Sequence, residues 1–323
     1  MAGQQGNNQM LFPASPLLLR PIPPQESGFF FALYHFPTMT LHLLARPHHP
    51  ATPASAGIWK MLFDRQLALL HRRAHPAFAA GVAALGLRRD EVPDFGRLSQ
   101  LVFQRTGWTL RAAGGPLPEA EYYAALARRE LPLVTRLRTF AEFDQPAHGV
   151  DLFSEVLGRL PLLLEPGYAQ ALEALGQAWA LATTPAAAVL LRRFTRATFE
   201  LGLLAPADGK PQFYGAMLLT SARHLHAAAA TDPARLQPLA GAARQLRLLA
   251  VPTAGFSAEA SAQPYFVARD WAELLEEIAH LRAELTQAQR PAPGPPALPI
   301  TVEAGSRAGS FAAQRSAGLR QVG

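Results

Sequence analysis

The segment 151–161 carries the residues that say most about chemistry. It reads Asp-Leu-Phe-Ser-Glu-Val-Leu-Gly-Arg-Leu-Pro and predicts a helix with Asp151 as its N-cap, where a short acidic side chain can accept a hydrogen bond from a free backbone N–H. The Glu155 carboxylate could supply an oxygen ligand. The Ser154 hydroxyl is a weak ligand, and the guanidinium of Arg159 has no lone pair to give and keeps its proton. A potential metal ligand therefore lies beside a group that opposes a cation.

The composition indicates a globular protein. The chain has 323 residues, of which 49% are hydrophobic, enough for a sizeable core. The absence of cysteine excludes disulfides, zinc–cysteine sites and cysteine nucleophiles. The net charge is +6, but Lys60 and Lys210 are the only lysines, and we attribute the arginine excess to coding bias. No stripe of basic residues alternates with aromatics, so a nucleic-acid partner is not expected.

The pattern of apolar residues, proline and glycine predicts how these elements are arranged. No secretory signal or membrane-spanning stretch is recognised, so a cytoplasmic location without a membrane partner is expected. Residues 1–57 are predicted to be a partly disordered extension, 58–289 a catalytic-type domain, and 290–323 a disordered tail rich in proline, glycine and alanine. Helices are predicted over 58–86, 95–106, 118–129, 151–160, 167–181, 186–203, 216–230 and 271–289. Strands are predicted over 132–143, 246–251 and 265–267.

Several segments resemble one known family in the same order. The segment 151–161 resembles the metal-binding helix of the biopterin-dependent aromatic amino acid hydroxylases, which have His-Glu-x-x-Gly-His at this point. The similarity extends over about 58–285 and includes Thr106-Gly107-Trp108, Phe199-Glu200-Leu201-Gly202-Leu203 and Tyr214-Gly215-Ala216-Met217-Leu218. The resemblance implies a mainly α-helical catalytic domain with small β-ribbons, of the bacterial phenylalanine 4-monooxygenase type.

By this resemblance, the iron ligands of the family correspond to Ser154, Arg159 and Glu200. Non-haem oxygenases hold iron with two histidines and one carboxylate, and only Glu200 is of a suitable type. We therefore do not expect iron to bind, and we hypothesise that Arg159 replaces the metal and forms an ion pair with Glu200. The alternative is a rebuilt metal site that uses Glu155 and Glu200 with histidines such as His148 or His224.

The resemblance also implies residues that bind an amino acid substrate. Arg138 matches an arginine that holds the substrate carboxylate, and Asp151 matches the aspartate that holds this arginine. The alternative is that Arg138 is a surface arginine and Asp151 only a helix cap. Arg196 replaces a tryptophan of the family, which adds a charge near the aromatic pocket, and Thr220 replaces a serine near the metal.

The resemblance further implies a pterin site. Gly115 and Leu117 match the pterin loop, Tyr122 matches the aromatic residue that stacks on the cofactor, and Glu155 matches a residue that reaches the pterin through water. Core packing is the alternative role for Tyr122. Tetrahydropterin is thus a candidate ligand.

Two functions follow from these matches. The first is a hydroxylase-like protein that has lost iron-dependent monooxygenase activity and keeps a pocket for a small molecule, such as an amino acid or a pterin. The second is an active monooxygenase-type enzyme that hydroxylates an aromatic amino acid or a related metabolite with tetrahydropterin and O₂ through an altered metal site.

Overall fold

Helices surround two small β-sheets in the computed structural model of this chain, which describes residues 52–145, 149–205, 209–249 and 264–288. The helices are α1 (Pro53–Leu70), α2 (Pro76–Ala84), α3 (Phe95–Thr106), α4 (Glu119–Leu126), α5 (Leu152–Leu163), α6 (Pro166–Ala178), α7 (Pro185–Thr195), α8 (Ala216–Thr220), α9 (Ala222–Ala229), α10 (Ala242–Leu248) and α11 (Trp271–Ala288). The strands are β1 (Thr109–Ala113), β2 (Glu130–Val134), β3 (Leu203–Leu204), β4 (Gln212–Phe213), β5 (Gln237–Pro238) and β6 (Phe266–Ala268). The predicted mainly helical fold with small β-ribbons is confirmed.

The two sheets hold the ends of the segments that carry the candidate site. Strands β1 and β2 pair in parallel, with Thr109 opposite Glu130. The second sheet has the strand order β4-β3-β6-β5, in which β3 is antiparallel to β4 and parallel to β6. Glu200 lies just before β3, and Tyr265 lies just before β6. Pairing of β3 with β6 therefore brings these two distant parts of the chain to the same end of a sheet.

Helix α5 lies in the core. Leu157, Leu160, Leu162 and Leu163 are all fully buried, and a helix that is apolar on most of its circumference must be covered by neighbours. Its first backbone N–H, that of Leu152, donates to the Arg136 carbonyl at 2.8 Å. This bond fixes the start of the helix against the chain that follows β2.

Helix α7 continues into a π-helical turn. The turn covers Arg196–Glu200, and the N–H of Leu201 donates to the Arg196 carbonyl at 3.0 Å. This bond spans five residues and not the four of an α-helix. The predicted helix over 186–203 is therefore wrong at its end, because the last turn widens before β3 begins. Such single π-turns are frequent at functional sites.

Three other sequence predictions differ from the structure. The helix predicted over 58–86 is two helices, because Arg72 has a positive φ of 60° and Pro76 starts α2. The strand predicted over 132–143 ends at Val134 and is followed by a 3₁₀ turn at Phe140–Glu142. Leu246 to Leu248 belong to α10 and not to a strand.

Some predictions lie outside the described residues. These are the proposed extension up to residue 51, His148, the tail over 290–323 and the end of the strand predicted over 246–251. Within the described part of the chain, no helix is both long and apolar enough to cross a membrane.

Candidate functional site

The start of α5 is closed by its own side chains. Asp151 accepts from the Ser154 N–H at 3.1 Å, and the Ser154 hydroxyl accepts from the Asp151 N–H at 2.8 Å. The same hydroxyl also lies 2.9 Å from both the carbonyl and Oδ1 of Asp151. This reciprocal arrangement is a capping box, so the predicted N-cap role of Asp151 is confirmed. The Ser154 hydroxyl serves the helix end.

Arg138 forms a buried, forked ion pair with Asp151. Its Nε donates to Oδ2 at 2.9 Å and its Nη2 to Oδ1 at 2.8 Å, while Nη1 donates to the Phe143 carbonyl at 3.1 Å. Only 3% of the Arg138 side chain is exposed. Burial alone would raise the pKa of Asp151, but the bonds from Arg138 outweigh it and hold that pKa below its usual value. The alternative of a surface arginine is wrong, and a role of Arg138 in substrate binding stays a prediction.

Arg159 lies one helical turn after Glu155 and pairs with it. Its Nε is 3.2 Å from Glu155 Oε2, and its Nη1 donates to the Tyr122 hydroxyl. The guanidinium carbon lies 5.5 Å from the centre of the Tyr122 ring. Burial would lower the pKa of Arg159, but the Glu155 carboxylate raises it above its ordinary value. A buried cation thus lies where the resemblance implies a metal-binding imidazole.

The predicted Arg159–Glu200 ion pair is wrong. Glu200 instead lies 3.7 Å from Arg196 Nη1, and Arg159 bonds to Glu155 and Tyr122. Each arginine therefore pairs with the carboxylate four residues away in its own helical segment, the spacing at which side chains on a helix meet. Glu200 still contributes a weaker attraction that raises the pKa of Arg159.

Glu155 is buried and only partly satisfied. It is 5% exposed, and its Oε2 receives no hydrogen bond of good geometry although Arg159 is close. Burial raises the pKa of Glu155, and Arg159 opposes this effect. The carboxylate therefore depends on Arg159 as its counter-ion.

The predicted pterin residues lie on the loop between β1 and α4 and on α4 itself. A Cβ built at Gly115 would meet no atom within 4 Å, so the loop faces open space there, and Leu117 is half-buried. Tyr122 packs edge-on against Tyr123 with ring centres 5.4 Å apart. Its hydroxyl is held by Arg159, and burial raises its pKa. Tyr122 combines packing with a polar contact to the site.

The π-helical turn presents Arg196 and Glu200 on one side. Their side chains are 22% and 24% exposed, and their charged groups are 3.7 Å apart, too long for a hydrogen bond. The Arg196 Nη1 also lies 4.0 Å from Met217 Sδ. This pair is the most accessible charged pair among the predicted site residues.

Two glycines fix the backbone beside Glu200. A Cβ at Gly202 would lie 2.1 Å from the Thr198 carbonyl oxygen, and a Cβ at Gly215 would lie 2.5 Å from the Glu200 carbonyl oxygen. No side chain fits at either position without a shift of backbone. The close approach of these two segments sets the position of Glu200.

Further polar groups surround the π-helical turn. The His224 ring lies 2.9 Å from the Ser221 hydroxyl, and burial, with Arg196 and Arg223, lowers its pKa to about 4. It is therefore uncharged at neutral pH. Thr220 is buried, and its hydroxyl donates to the Ala216 carbonyl at 2.7 Å. The predicted position of Thr220 beside the α5 helix is supported by its methyl group, which lies against Gly158.

These residues do not fit the iron of a non-haem oxygenase. Ser154 is engaged by Asp151, Arg159 is a cation, and only Glu200 offers a carboxylate. Among the residues that the structure describes, no cluster of three or more His, Asp or Glu side chains has a geometry that could hold a metal ion. His148, one candidate for a rebuilt site, lies outside them.

Comparison with known proteins identifies the family. A family model described as biopterin-dependent aromatic amino acid hydroxylase matches residues 47–288. The chain belongs to this family. It is 34% identical over 178 residues to phenylalanine-4-hydroxylase of Ralstonia nicotianae, covering 55% of this chain and 56% of that protein. It is 35% identical over 163 residues to the Chromobacterium violaceum enzyme, covering 50% of this chain and 54% of that protein. The matches thus span little more than half the length of these curated relatives.

Solved structures of this family share the fold. The phenylalanine hydroxylase of Chromobacterium violaceum with bound oxidized Fe(III) has a TM-score of 0.62 at 26% identity, over 75% of this chain and 88% of that chain. Another structure of that enzyme holds iron(III) and oxidized 7,8-dihydrobiopterin, with a TM-score of 0.60 at 27% identity, over 74% of this chain and 84% of that chain. The phenylalanine hydroxylase of Legionella pneumophila has a TM-score of 0.63 at 25% identity, over 76% and 93%.

Sequence reasoning missed the two ion pairs that organise the site. The signal was present, since Glu155–Arg159 and Arg196–Glu200 each have the spacing of neighbours on a helix. It was set aside in favour of a long-range pair between Arg159 and Glu200. Met217 and Tyr265, the other neighbours of Arg196, carry no motif that would have singled them out.

Proposed function

We propose that this chain is a member of the aromatic amino acid hydroxylase family that binds a small molecule without iron-dependent hydroxylation. The observation that carries the proposal is the buried guanidinium of Arg159, bonded to Glu155 and Tyr122. The cation occupies the region in which its relatives hold iron, and it is bound by this chain's own side chains. A metal would have to displace it.

Electrostatics supports this proposal. Two like unit charges about 4 Å apart repel by roughly 4 kcal/mol at an effective dielectric of about 20, and a dication doubles that figure. Arg159 cannot relieve the repulsion by losing its proton, because a guanidinium stays charged in proteins and Glu155 favours the charged form. The Ser154 hydroxyl does not compensate, since it already bonds to Asp151.

Tetrahydropterin remains a candidate ligand of this cleft. Tyr122 and Glu155, two of the positions that match pterin contacts, are both held by Arg159. A bound pterin would therefore meet a rigid arrangement with an added positive charge. Pterin binding is tested directly by titration of metal-free protein with 7,8-dihydrobiopterin and calorimetry.

The test of the proposal is metal retention. Wild-type protein and the double variant Ser154→His with Arg159→His are loaded anaerobically with ferrous iron, desalted and measured by elemental analysis. We expect the wild type to retain far less than one iron per chain, and the double variant to retain more. Stoichiometric iron in the wild type would refute the proposal.

A second function is an oxygenase with an altered metal site. It is favoured by Glu200, whose carboxylate has no partner closer than Arg196 at 3.7 Å within the described residues and could still ligate a metal. Wild-type protein is incubated with tetrahydropterin, O₂, a panel of divalent metals and each aromatic amino acid. A product heavier by one oxygen atom in mass spectrometry would establish this function in place of the first.

A further inference from the structure

Arg196 and Glu200 are the charged site residues whose bonding capacity is left open. The Arg138 nitrogens already hold Asp151 and the Phe143 carbonyl, and Arg159 holds Glu155 and Tyr122. Arg196, by contrast, makes only a 4.0 Å contact to the Met217 sulfur and the 3.7 Å pair with Glu200 within the described residues. About a fifth to a quarter of each side chain is exposed.

The pair lies between two different surroundings. On the Glu200 side are Arg159, Glu155 and Tyr122, whose pKa values all respond to the Glu200 carboxylate. On the Arg196 side are His224 and Tyr265, whose pKa values respond to the Arg196 guanidinium. His224 is uncharged at neutral pH because burial lowers its pKa, so this side offers neutral polar groups. Neither side supplies a second hydrogen-bonded partner that would close the pair.

We propose that Arg196 and Glu200 together bind the head group of an α-amino acid, with the ligand carboxylate on Arg196 and the ligand ammonium on Glu200. This inference rests on the proposed function, because it needs Glu200 free of metal. The ligand head group then lies at the π-helical turn, and not at the buried Arg138.

The two adjacent opposite charges favour a zwitterion over a simple ion. A plain anion at Arg196 would also face the Glu200 carboxylate, and a plain cation at Glu200 would face Arg196 and the nearby Arg159. In an α-amino acid, the ammonium and the carboxylate are held on one carbon, so both can meet their opposite charges at once. Charge-assisted bonds of this kind are short and stronger than neutral ones, whereas the existing contact is too long for a hydrogen bond.

The accessibility of the pair also supports this role. Side chains that serve only the fold, such as Arg138 and Asp151, are 3% and 0% exposed. The π-helical turn that carries Arg196 and Glu200 has a fixed backbone, because Gly202 and Gly215 leave it no room. A fixed backbone with accessible, incompletely bonded charges is the arrangement that a preorganised binding site needs.

The experiment uses the full chain in buffer with a metal chelator. Each of the twenty L-amino acids is titrated singly at up to about 10 mM by calorimetry. The amino acid that binds most tightly is then compared with its N-acetyl derivative, which lacks the ammonium, and with its amide, which lacks the carboxylate. We expect each derivative to bind at least about tenfold more weakly, since each loses a charge-assisted contact.

Matched variants locate the site. Arg196→Gln and Glu200→Gln should each weaken binding of the same amino acid at least about tenfold. Arg192→Gln, one turn earlier and paired with Glu119 on the surface, should leave it unchanged. The exchange variant Arg196→Glu with Glu200→Arg keeps an ion pair at the same positions, so its loss of binding would support the proposal even if a single variant folds poorly.

Two results would overturn the proposal. One is the absence of binding by every amino acid. The other is wild-type affinity in folded Arg196→Gln and Glu200→Gln proteins. The chelator separates this test from the test of the proposed function: iron retention in wild-type protein would refute the loss of the metal site, whereas unaltered binding in these variants would refute only the head-group assignment.

Discussion

Two arginine–carboxylate pairs of the same chemical type differ in what surrounds them. Arg138 and Asp151 come from segments far apart in sequence, are nearly fully buried, and share three hydrogen bonds that include the Arg138 backbone N–H. Arg196 and Glu200 lie in one π-helical turn, are partly exposed, and approach only to 3.7 Å. The first pair has no bonding capacity to offer a ligand in this structure, and the second has. Burial and bonding geometry, more than residue type, separate a structural pair from a binding pair.

The largest expected effect comes from breaking the closed pair. Arg138→Ala should lower the free energy of unfolding by about 3–5 kcal/mol, because Asp151 is left charged and buried without its partner. Chemical denaturation measures the loss. Arg136→Ala is the control, since Arg136 forks onto Glu142 at a more exposed position and should cost about 1 kcal/mol or less. Equal losses in the two variants would contradict the comparison.

The Arg159–Glu155 pair should give an intermediate effect. Arg159→Met removes the counter-ion of the buried Glu155 and should cost about 2–3 kcal/mol. Adding Glu155→Gln removes the stranded charge, so the double variant should recover part of the loss. A double-mutant cycle by urea unfolding measures this coupling. Purely additive losses would show that the two side chains do not depend on each other.

The open pair should contribute least to stability. Arg196→Gln should change the free energy of unfolding by about 1 kcal/mol or less, as for exposed ion pairs in general. High salt should reduce any coupling between Arg196 and Glu200, because partly exposed charges are screened. Thermal melts of the wild type and the variant at low and high sodium chloride measure both effects. A loss as large as that of Arg138→Ala would assign the pair to the fold.

Local sequence signals predicted much of the helical framework. The helix over 95–106 has the predicted bounds, ended by Gly107 in the left-handed region, and α11 follows its apolar stripe. The Asp151 cap was readable because it depends only on residues within one turn. The break between α1 and α2 was not, because Arg72 adopts a positive φ that its residue type does not favour.

The candidate site was predictable in its residues but not in its partners. The resemblance singled out Ser154, Arg159 and Glu200, and the structure locates them on α5 and the π-helical turn. The partner of Arg159 depends on whether a side chain reaches across two helices or along one, which sequence spacing alone does not decide. The widening of α7 into a π-turn has no simple sequence signature, yet it sets where Arg196 and Glu200 point.

The two glycines beside Glu200 have an evolutionary consequence. Because Gly202 and Gly215 leave no space for a Cβ, nearly any substitution there displaces the backbone that carries Glu200. The side chains at 196 and 200 face no such restriction. Drift in this lineage is therefore confined to the exchange of functional groups on an unchanged frame, so that a new ligand preference can arise by single substitutions while the ancestral architecture persists.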